Sequence, residues 1–308
     1  MTSKNELTQA HRQLVDAAAE IRLDRATVED AAYLARQFVQ ATLPHSDPKT
    51  DTWSRTNGNF SLGIQAGFDA RTGRKYGLPF GIIPRLLLFW ITSEAVRTKS
   101  PRLELGASMA GFMREVGLNP GTGGGVRSDA RRLQEQMERL FRANISFAQT
   151  VHEGEREGDV WLDMKVSRTG VFWWNPKTPE QGTLWGSWVE LGQDFFNAIT
   201  ASPIPVDTRA LRALKRSPLA LDLYALCCYE AYRVERSGKA RFIPWRALQK
   251  QMGADYESET AARDFGTKCR AALRKIEAVM TSLRLGKAPG GLSIMASSTP
   301  AITHRPKA

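Results

Sequence analysis

The chain of 308 residues is long enough for two domains of ordinary size and too long for one small core. Its formal net charge of +11 favours polyanionic partners, through electrostatic steering and counterion release. The three cysteines, Cys227, Cys228 and Cys269, form no CxxC motif and no cluster with histidine, which excludes a zinc finger and predicts a reducing, cytoplasmic compartment.

The positive charge is concentrated after Lys75. Residues 1–75 carry a net charge of +1, whereas residues 76–308 carry +10. We therefore expect an anion-binding surface in the second part, although a soluble basic protein without a nucleic-acid partner is the alternative at this point. The N-terminus lacks the apolar core of a signal peptide, and the longest apolar run is too short to cross a bilayer, so we expect no membrane partner.

The N-terminal part is predicted to be helical. Leu14, Ala18 and Ile21 share one face of a first helix. A second helix is predicted to begin near Thr27, where the threonine and Asp30 have the spacing of a capping box, and to continue to residue 43. The turn-rich residues 44–58 are typical of a linker, and the alternating residues 60–64 predict a strand.

From residue 84 onwards the same order of elements occurs twice. The first series is predicted as a helix, a short strand, a Gly-ended helix, a basic helix and two strands, at residues 84–99, 102–105, 108–117, 128–144, 145–151 and 160–166. The second series has its counterparts at residues 218–236, 241–243, 245–253, 260–280, 283–285 and 292–295. Pro84 and Pro218 are 134 residues apart, and Gly117 and Gly253 are 136 apart. This agreement indicates a repeated unit.

This order is that of a winged helix-turn-helix domain, in which the third helix lies in the major groove and the ribbon contacts the DNA backbone. The predicted fold class is therefore α+β, with two tandem winged-helix domains. The predicted boundaries are 1–56 for an N-terminal helical segment and linker, 57–205 for the first domain, and 206–308 for the second domain with its tail. Two helical bundles with a similar apolar pattern are the alternative.

Each basic helix carries candidate DNA-binding residues opposite its apolar stripe, because arginine bonds both to guanine edges and to phosphates. The candidates are Arg131, Arg132, Arg139 and Arg142 in the first helix, and Arg263, Thr267, Arg270 and Arg274 in the second. Glu135 either accepts from a cytosine amino group or pairs with a neighbouring arginine. A solvated basic face is the alternative for each helix.

Three other features have two interpretations each. The Gly-rich loop 121–125 lacks the Lys-Ser or Lys-Thr of a P-loop, so a simple turn is favoured over phosphate binding. The tryptophans Trp173, Trp174, Trp185 and Trp188 stack on bases or pack internally. The cluster of Arg209, Arg212, Lys215 and Arg216 is a phosphate clamp or a solvated linker helix.

Catalytic patterns are absent from the sequence. The four histidines, His11, His45, His152 and His304, are isolated from one another, and a DNA nickase would need a metal-binding histidine pair with a nucleophilic tyrosine. No pair of carboxylates resembles a two-metal nuclease site. We therefore expect a protein without enzymatic activity, cofactor or metal.

Four segments carry a family resemblance: PFGIIPRLLLFWITSEAVRTKSPRLELGASMAGFMREVGL, RRLQEQMERLFRANI, PVDTRALRALKRSPLALDLYALCCY and IPWRALQKQMGADY. They resemble the plasmid-encoded RepA family of replication initiators, over about residues 57–285. The resemblance implies binding to repeated double-stranded origin sequences (iterons), opening of the plasmid origin, and recruitment of the host replication initiator and the replicative helicase. The first 50 residues lie outside it, and dimerisation is one role open to them, so a homodimer is a further possible partner.

Two other functions remain open at this stage. A winged-helix transcriptional repressor would bind DNA through the same units, and a nickase would also cut it. Direct repeats beside an AT-rich segment next to the coding region favour the initiator, a single palindrome over a promoter favours the repressor, and strand scission with a divalent metal supports the nickase.

Overall fold

The computed structural model describes residues 8–24, 26–122, 128–154, 156–175, 177–182, 186–252 and 261–302. The helices are α1 (Gln9–Leu23), α2 (Arg36–Gln40), α3 (Ile82–Thr98), α4 (Met109–Glu115), α5 (Asp129–Phe141), α6 (Gln193–Thr200), α7 (Thr208–Leu214), α8 (Pro218–Ser237), α9 (Trp245–Met252) and α10 (Ala261–Val279). The strands are β1 (Ala31–Ala35), β2 (Thr52–Asn57), β3 (Phe60–Gln65), β4 (Arg102–Gly106), β5 (Asn144–Glu153), β6 (Arg156–Lys165), β7 (Ser167–Val171), β8 (Ser187–Leu191), β9 (Pro203–Asp207), β10 (Arg241–Pro244), β11 (Leu285–Gly286) and β12 (Gly291–Ile294). The mixed α+β class predicted from the sequence is confirmed.

The chain forms two compact units. The central unit contains residues 33–203 and 250–252, and the C-terminal unit contains the described residues of 8–32, 204–249 and 261–302. The predicted N-terminal segment 1–56 is therefore divided between both units. Its predicted end also falls inside a hairpin, because Asn57 of β2 pairs with Phe60 of β3.

The apolar helix α3 of the central unit is buried along most of its length. Ser108 caps the next helix, α4, by accepting a hydrogen bond from the amide of Gly111. The predicted glycine stop is confirmed at Gly117, whose φ of +81° is in the left-handed region that favours glycine. Ser128 caps α5 in the same way as Ser108 caps α4. The predicted order of helix, strand, helix and basic helix is confirmed in this unit.

Strands β2 to β8 of the central unit form two separate sheets. The predicted strands near residues 145–151 and 160–166 are confirmed as β5 and β6, which pair over ten residues. They belong to a four-stranded sheet of order β2-β3-β5-β6, whereas a separate sheet has the order β4-β8-β7. Strand β4 therefore pairs with β8, and not with the hairpin that directly follows α5.

The C-terminal unit repeats the order of elements. Pro218 occupies the first turn of α8, Ser217 caps this helix, and Gly238 ends it with a φ of +64°. The sheet has the order β10-β12-β11, so its first strand pairs with its last, as in the β4-β8-β7 sheet. Helix α8 packs on α10, and α1 packs on both α7 and α10. The match predicted at Gly253 and the beginning of the helix at residue 260 lie outside the described residues.

The second predicted N-terminal helix is wrong. Thr27 and Asp30 do form the capping box, but the helix that begins there is only the 3-10 turn Val28–Asp30. Strand β1 follows directly, because its backbone finds partners outside a helix: the amide of Tyr33 donates to Ser93 Oγ at 2.8 Å. Only the short helix α2 remains of the predicted helix.

Candidate nucleic-acid interface

Helix α10 presents one apolar and one basic face. Its buried residues include Phe265, Cys269, Leu273 and Ile276, which recur with the helical period. The four residues predicted on the other side are all exposed: Arg263, Thr267, Arg270 and Arg274. Because they are three or four positions apart, they lie side by side along about three turns of the helix. The structure thus brings this predicted set together.

Hydrogen bonds and a ring contact position the side chains of Thr267 and Arg270 on this face. The Thr267 hydroxyl donates to the carbonyl oxygen of Arg263 at 3.0 Å and accepts from Nη2 of Arg270, also at 3.0 Å. The Arg270 guanidinium carbon lies 5.8 Å from the centre of the Trp245 ring, within the range of a cation–π contact. Arg270 is therefore positioned from two sides while its side chain remains exposed to solvent.

A cleft of about 540 Å³ separates α10 from the β11–β12 hairpin. Arg270, Arg274 and Glu277 line it from the helix, and Lys287 and Pro289 line it from the hairpin loop. The exposed ammonium of Lys287 extends the positive charge of the helix across the cleft. A polyanion is the ligand that the three cations around this cleft favour.

Trp245 connects the two sides of this cleft, a role that was not predicted from the sequence. Its amide donates to the carbonyl oxygen of Gly290 at 2.9 Å, which connects the beginning of α9 to the hairpin loop. A Cβ placed on Gly266 of α10 would lie 3.0 Å from Cδ1 of the Trp245 ring. The glycine therefore allows α10 to pack directly on the indole. A lone glycine inside a predicted helix, beside a tryptophan-initiated helix, is the pattern that points to such a close contact.

The predicted arginines of helix α5, in the central unit, are less exposed than those of α10. Arg132 and Arg142 are exposed, whereas Arg131 is half-buried. Arg132 also lies 3.3 Å from Asp129 in an exposed ion pair. The outward side of the helix includes two acids as well, Glu135 and Glu138. Its positive charge is thus partly compensated by acids of its own helix.

Arg139 points inward and changes the interpretation of α5. Its guanidinium donates to the Leu78 carbonyl oxygen at 3.1 Å, to Glu135 at 2.6 Å and to Asp47 at 3.4 Å. The side chain is only 13% exposed and lies over the Phe80 ring. The structure therefore places Arg139 in the support of residues 76–80, away from the exposed basic face to which its helical spacing assigned it.

Residues 78–247 match the family described as "Plasmid encoded RepA protein". The matched part is more than half of the chain. The chain belongs to the plasmid-encoded RepA family.

The matched region of this RepA-family chain runs from just before α3 into α9, so it includes α5, while α10 follows it. A solved structure entitled "Crystal structure of SeMet derivatives of domain2 and domain 3 of RctB" aligns with 83% of this chain and 94% of its own, at 10% identity and a TM-score of 0.45. None of the curated proteins matches the chain.

Among the other candidate residues of the RepA-family chain, Arg209, Trp174 and Trp188 make contacts within the fold. Arg209 is buried and donates to both oxygens of Asp207, which raises the pKa of its guanidinium. Trp174 is buried, and its ring centre lies 5.2 Å from that of Phe112. Trp188 lies under the guanidinium of Arg102 at 4.0 Å.

Some of the predicted features remain exposed or undescribed. Arg212 and Arg216 are exposed, as is Trp173. Trp185 and residues 123–125 of the glycine-rich loop lie outside the described residues.

The described part of the chain holds no group of three or more His, Cys, Asp and Glu side chains suited to a metal ion. All three cysteines are buried, and burial raises the pKa of Cys228 and of Cys269 to about 12. Among the described residues, no helix combines the length and the apolar character needed to cross a membrane.

Proposed function

We propose that this RepA-family chain initiates plasmid replication by binding repeated double-stranded origin sequences (iterons). Family membership supports the role in replication initiation. The observation that carries DNA binding is the exposed row of Arg263, Thr267, Arg270 and Arg274, which runs beside the basic cleft of the β11–β12 hairpin.

Two winged-helix domains are the arrangement that fits both units best. Each unit has a helix, a strand and two further helices, followed by two strands that complete a sheet in which the first strand pairs with the last. In such a domain the third helix lies in the major groove and the hairpin contacts the backbone. The third helices are α5 and α10, and the wings are the β7–β8 and β11–β12 hairpins. The long β5–β6 hairpin is then an insertion before the first wing.

The two third helices contribute unequally in this proposal. Helix α10 is the principal recognition helix, because its arginines are exposed and lie beside the wing. Helix α5 retains Arg131, Arg132 and Arg142 for contacts with DNA, while Arg139 supports the fold. Opening of the origin, and recruitment of the host replication initiator and the helicase, follow from the family resemblance and complete the proposal. No enzymatic activity, cofactor or metal is part of it, and the cytoplasm is its compartment.

The DNA-binding part is tested with the DNA that flanks the coding region. Arg274→Glu reverses a charge in the exposed row of α10, and we expect it to remove specific binding in an anisotropy titration. Arg236→Glu is the matched control, because it makes the same charge change at an exposed position on α8, and it should bind as the unchanged chain does. Normal binding by a folded Arg274→Glu variant would contradict the assignment of α10.

The replication role needs its own readout, since a repressor would also bind DNA. A repressor would protect a single palindrome over the promoter in a footprint. The initiator proposed here would protect several direct repeats beside an AT-rich segment. A footprint confined to one promoter site would therefore favour the repressor.

A homodimer is the proposed assembly, formed through the free edge of the four-stranded sheet. Strand β6 is the last strand of that sheet, and its residues Val160, Trp161 and Leu162 are 59%, 68% and 41% exposed. An exposed apolar edge strand favours pairing with another strand. Antiparallel pairing with Leu162 opposite its own copy places Asp159 opposite Lys165, so the edge is complementary to itself.

Charge exchange tests this dimer. Asp159→Lys should shift the mass measured by light scattering to that of a monomer. Combining it with Lys165→Asp should restore the dimer, because the pair is then reversed but complementary. A mass that is the same for all three proteins would contradict the β6 interface.

A further inference from the structure

Ala271 lies in the middle of the exposed face of α10 and is itself exposed. Its nearest neighbours on the helix surface are the residues three and four positions away, which are Thr267, Lys268, Arg274 and Lys275. All four are exposed and longer than alanine, and three of them are cationic. Ala271 therefore forms the floor of a small depression with a single methyl group, surrounded by positive charge.

The depression matches the shape of a helix that enters the major groove. With about 100° between successive residues, Arg274 lies about 60° to one side of Ala271 and Lys268 about 60° to the other. Long basic side chains on both flanks reach towards the two phosphate backbones that border a major groove. A short side chain between them allows the helix backbone to approach the base edges closely.

The chemistry of the depression is apolar. The Thr267 hydroxyl is already engaged with the Arg263 carbonyl oxygen and with Arg270, so its methyl group and that of Ala271 remain as contact groups. Among the four bases, only thymine presents a methyl group in the major groove, and alanine and the threonine methyl are suitable partners for it.

We infer that Ala271 is a specificity-determining residue that recognises thymine by contact with its C5 methyl group. The inference rests on the proposed function, since it assumes that α10 binds DNA. It adds a base-reading position to the arginines and assigns Lys268 and Lys275 to contacts with phosphate.

The test uses the full-length chain and a duplex that it selects from a random library. Each thymine of the selected duplex is replaced in turn by deoxyuridine, which removes only the methyl group. We expect one replacement to weaken binding by the unchanged chain roughly fourfold, the size expected for one buried methyl group. The same replacement should have no effect on Ala271→Gly, because the contact is already lost.

Two further variants separate recognition from folding. Ala278→Gly changes the same residue type on the same helix, seven positions later, and should keep the full effect of the deoxyuridine replacement. If Ala271→Gly lowers the helix content measured by circular dichroism, Ala271→Ser is used in its place, because serine disfavours a helix less than glycine does. Ala271→Ser should also reduce the effect of removing the thymine methyl group. Deoxyuridine effects that are equal in the unchanged chain and in both Ala271 variants would overturn the inference while leaving the proposed function intact. If the chain selects no sequence at all, the proposed function fails and the inference fails with it.

Discussion

Replacing Arg139 by methionine should destabilise the central unit without removing DNA binding. Methionine retains much of the apolar length of the side chain but cannot donate to the Leu78 carbonyl oxygen, Asp47 or Glu135. These acceptors would remain in a site where the arginine side chain is only 13% exposed. Losing partly buried hydrogen bonds to a charged group costs about 2 kcal/mol of the free energy of unfolding.

Arg132→Met provides the matched control on the same helix, two turns earlier. Its guanidinium pairs only at 3.3 Å with Asp129, and its side chain is 55% exposed. Exposed pairs of this kind are worth at most about 0.5 kcal/mol. Thermal unfolding followed by circular dichroism should therefore show a midpoint lowered by about 4–8 °C for Arg139→Met and by about 1 °C for Arg132→Met. Equal shifts for the two variants would refute the structural role given to Arg139.

Three further outcomes are expected. Arg270→Gln should reduce the slope of log K against log salt concentration by about 0.9, the contribution of one phosphate contact; an unchanged slope would mean that Arg270 does not contact the backbone. Gly266→Val should lower the free energy of unfolding by about 2 kcal/mol in urea, because its side chain would collide with Trp245, and a neutral result would contradict that packing. Ellman's reagent at pH 8 should label none of the three cysteines in the folded chain and all three in denaturant, because they are buried and burial raises the pKa of each thiol; rapid labelling of the folded chain would contradict this.

Local patterns predicted much of the fold. Proline at the start of α8, glycine at the end of α4 and the apolar stripes of α5 and α10 were sufficient to place these helices, because capping and helical periodicity depend on neighbouring residues. The same periodicity placed the α10 arginines on one exposed face. The strand-like segments predicted at residues 241–243, 283–285 and 292–295 likewise correspond to β10, β11 and β12.

Long-range contacts account for what the sequence did not predict. Strand β8 follows β4 by about 80 residues, so no local pattern shows that these two strands pair. Arg139 has the helical spacing of an exposed residue, but the segment around Leu78 and Asp47 covers it. At Thr27, the capping box was real, yet the residues after it form a strand, because distant partners outweigh local helix preference.

The measurement that tests the central claim most directly is transformation with a minimal plasmid that carries this coding sequence and its flanking DNA. The account predicts that the plasmid is maintained with the unchanged sequence and with Arg236→Glu, and is lost with Arg274→Glu, although all three proteins accumulate. Equal maintenance with Arg274→Glu, or no maintenance with the unchanged sequence despite its expression, would contradict replication initiation through α10.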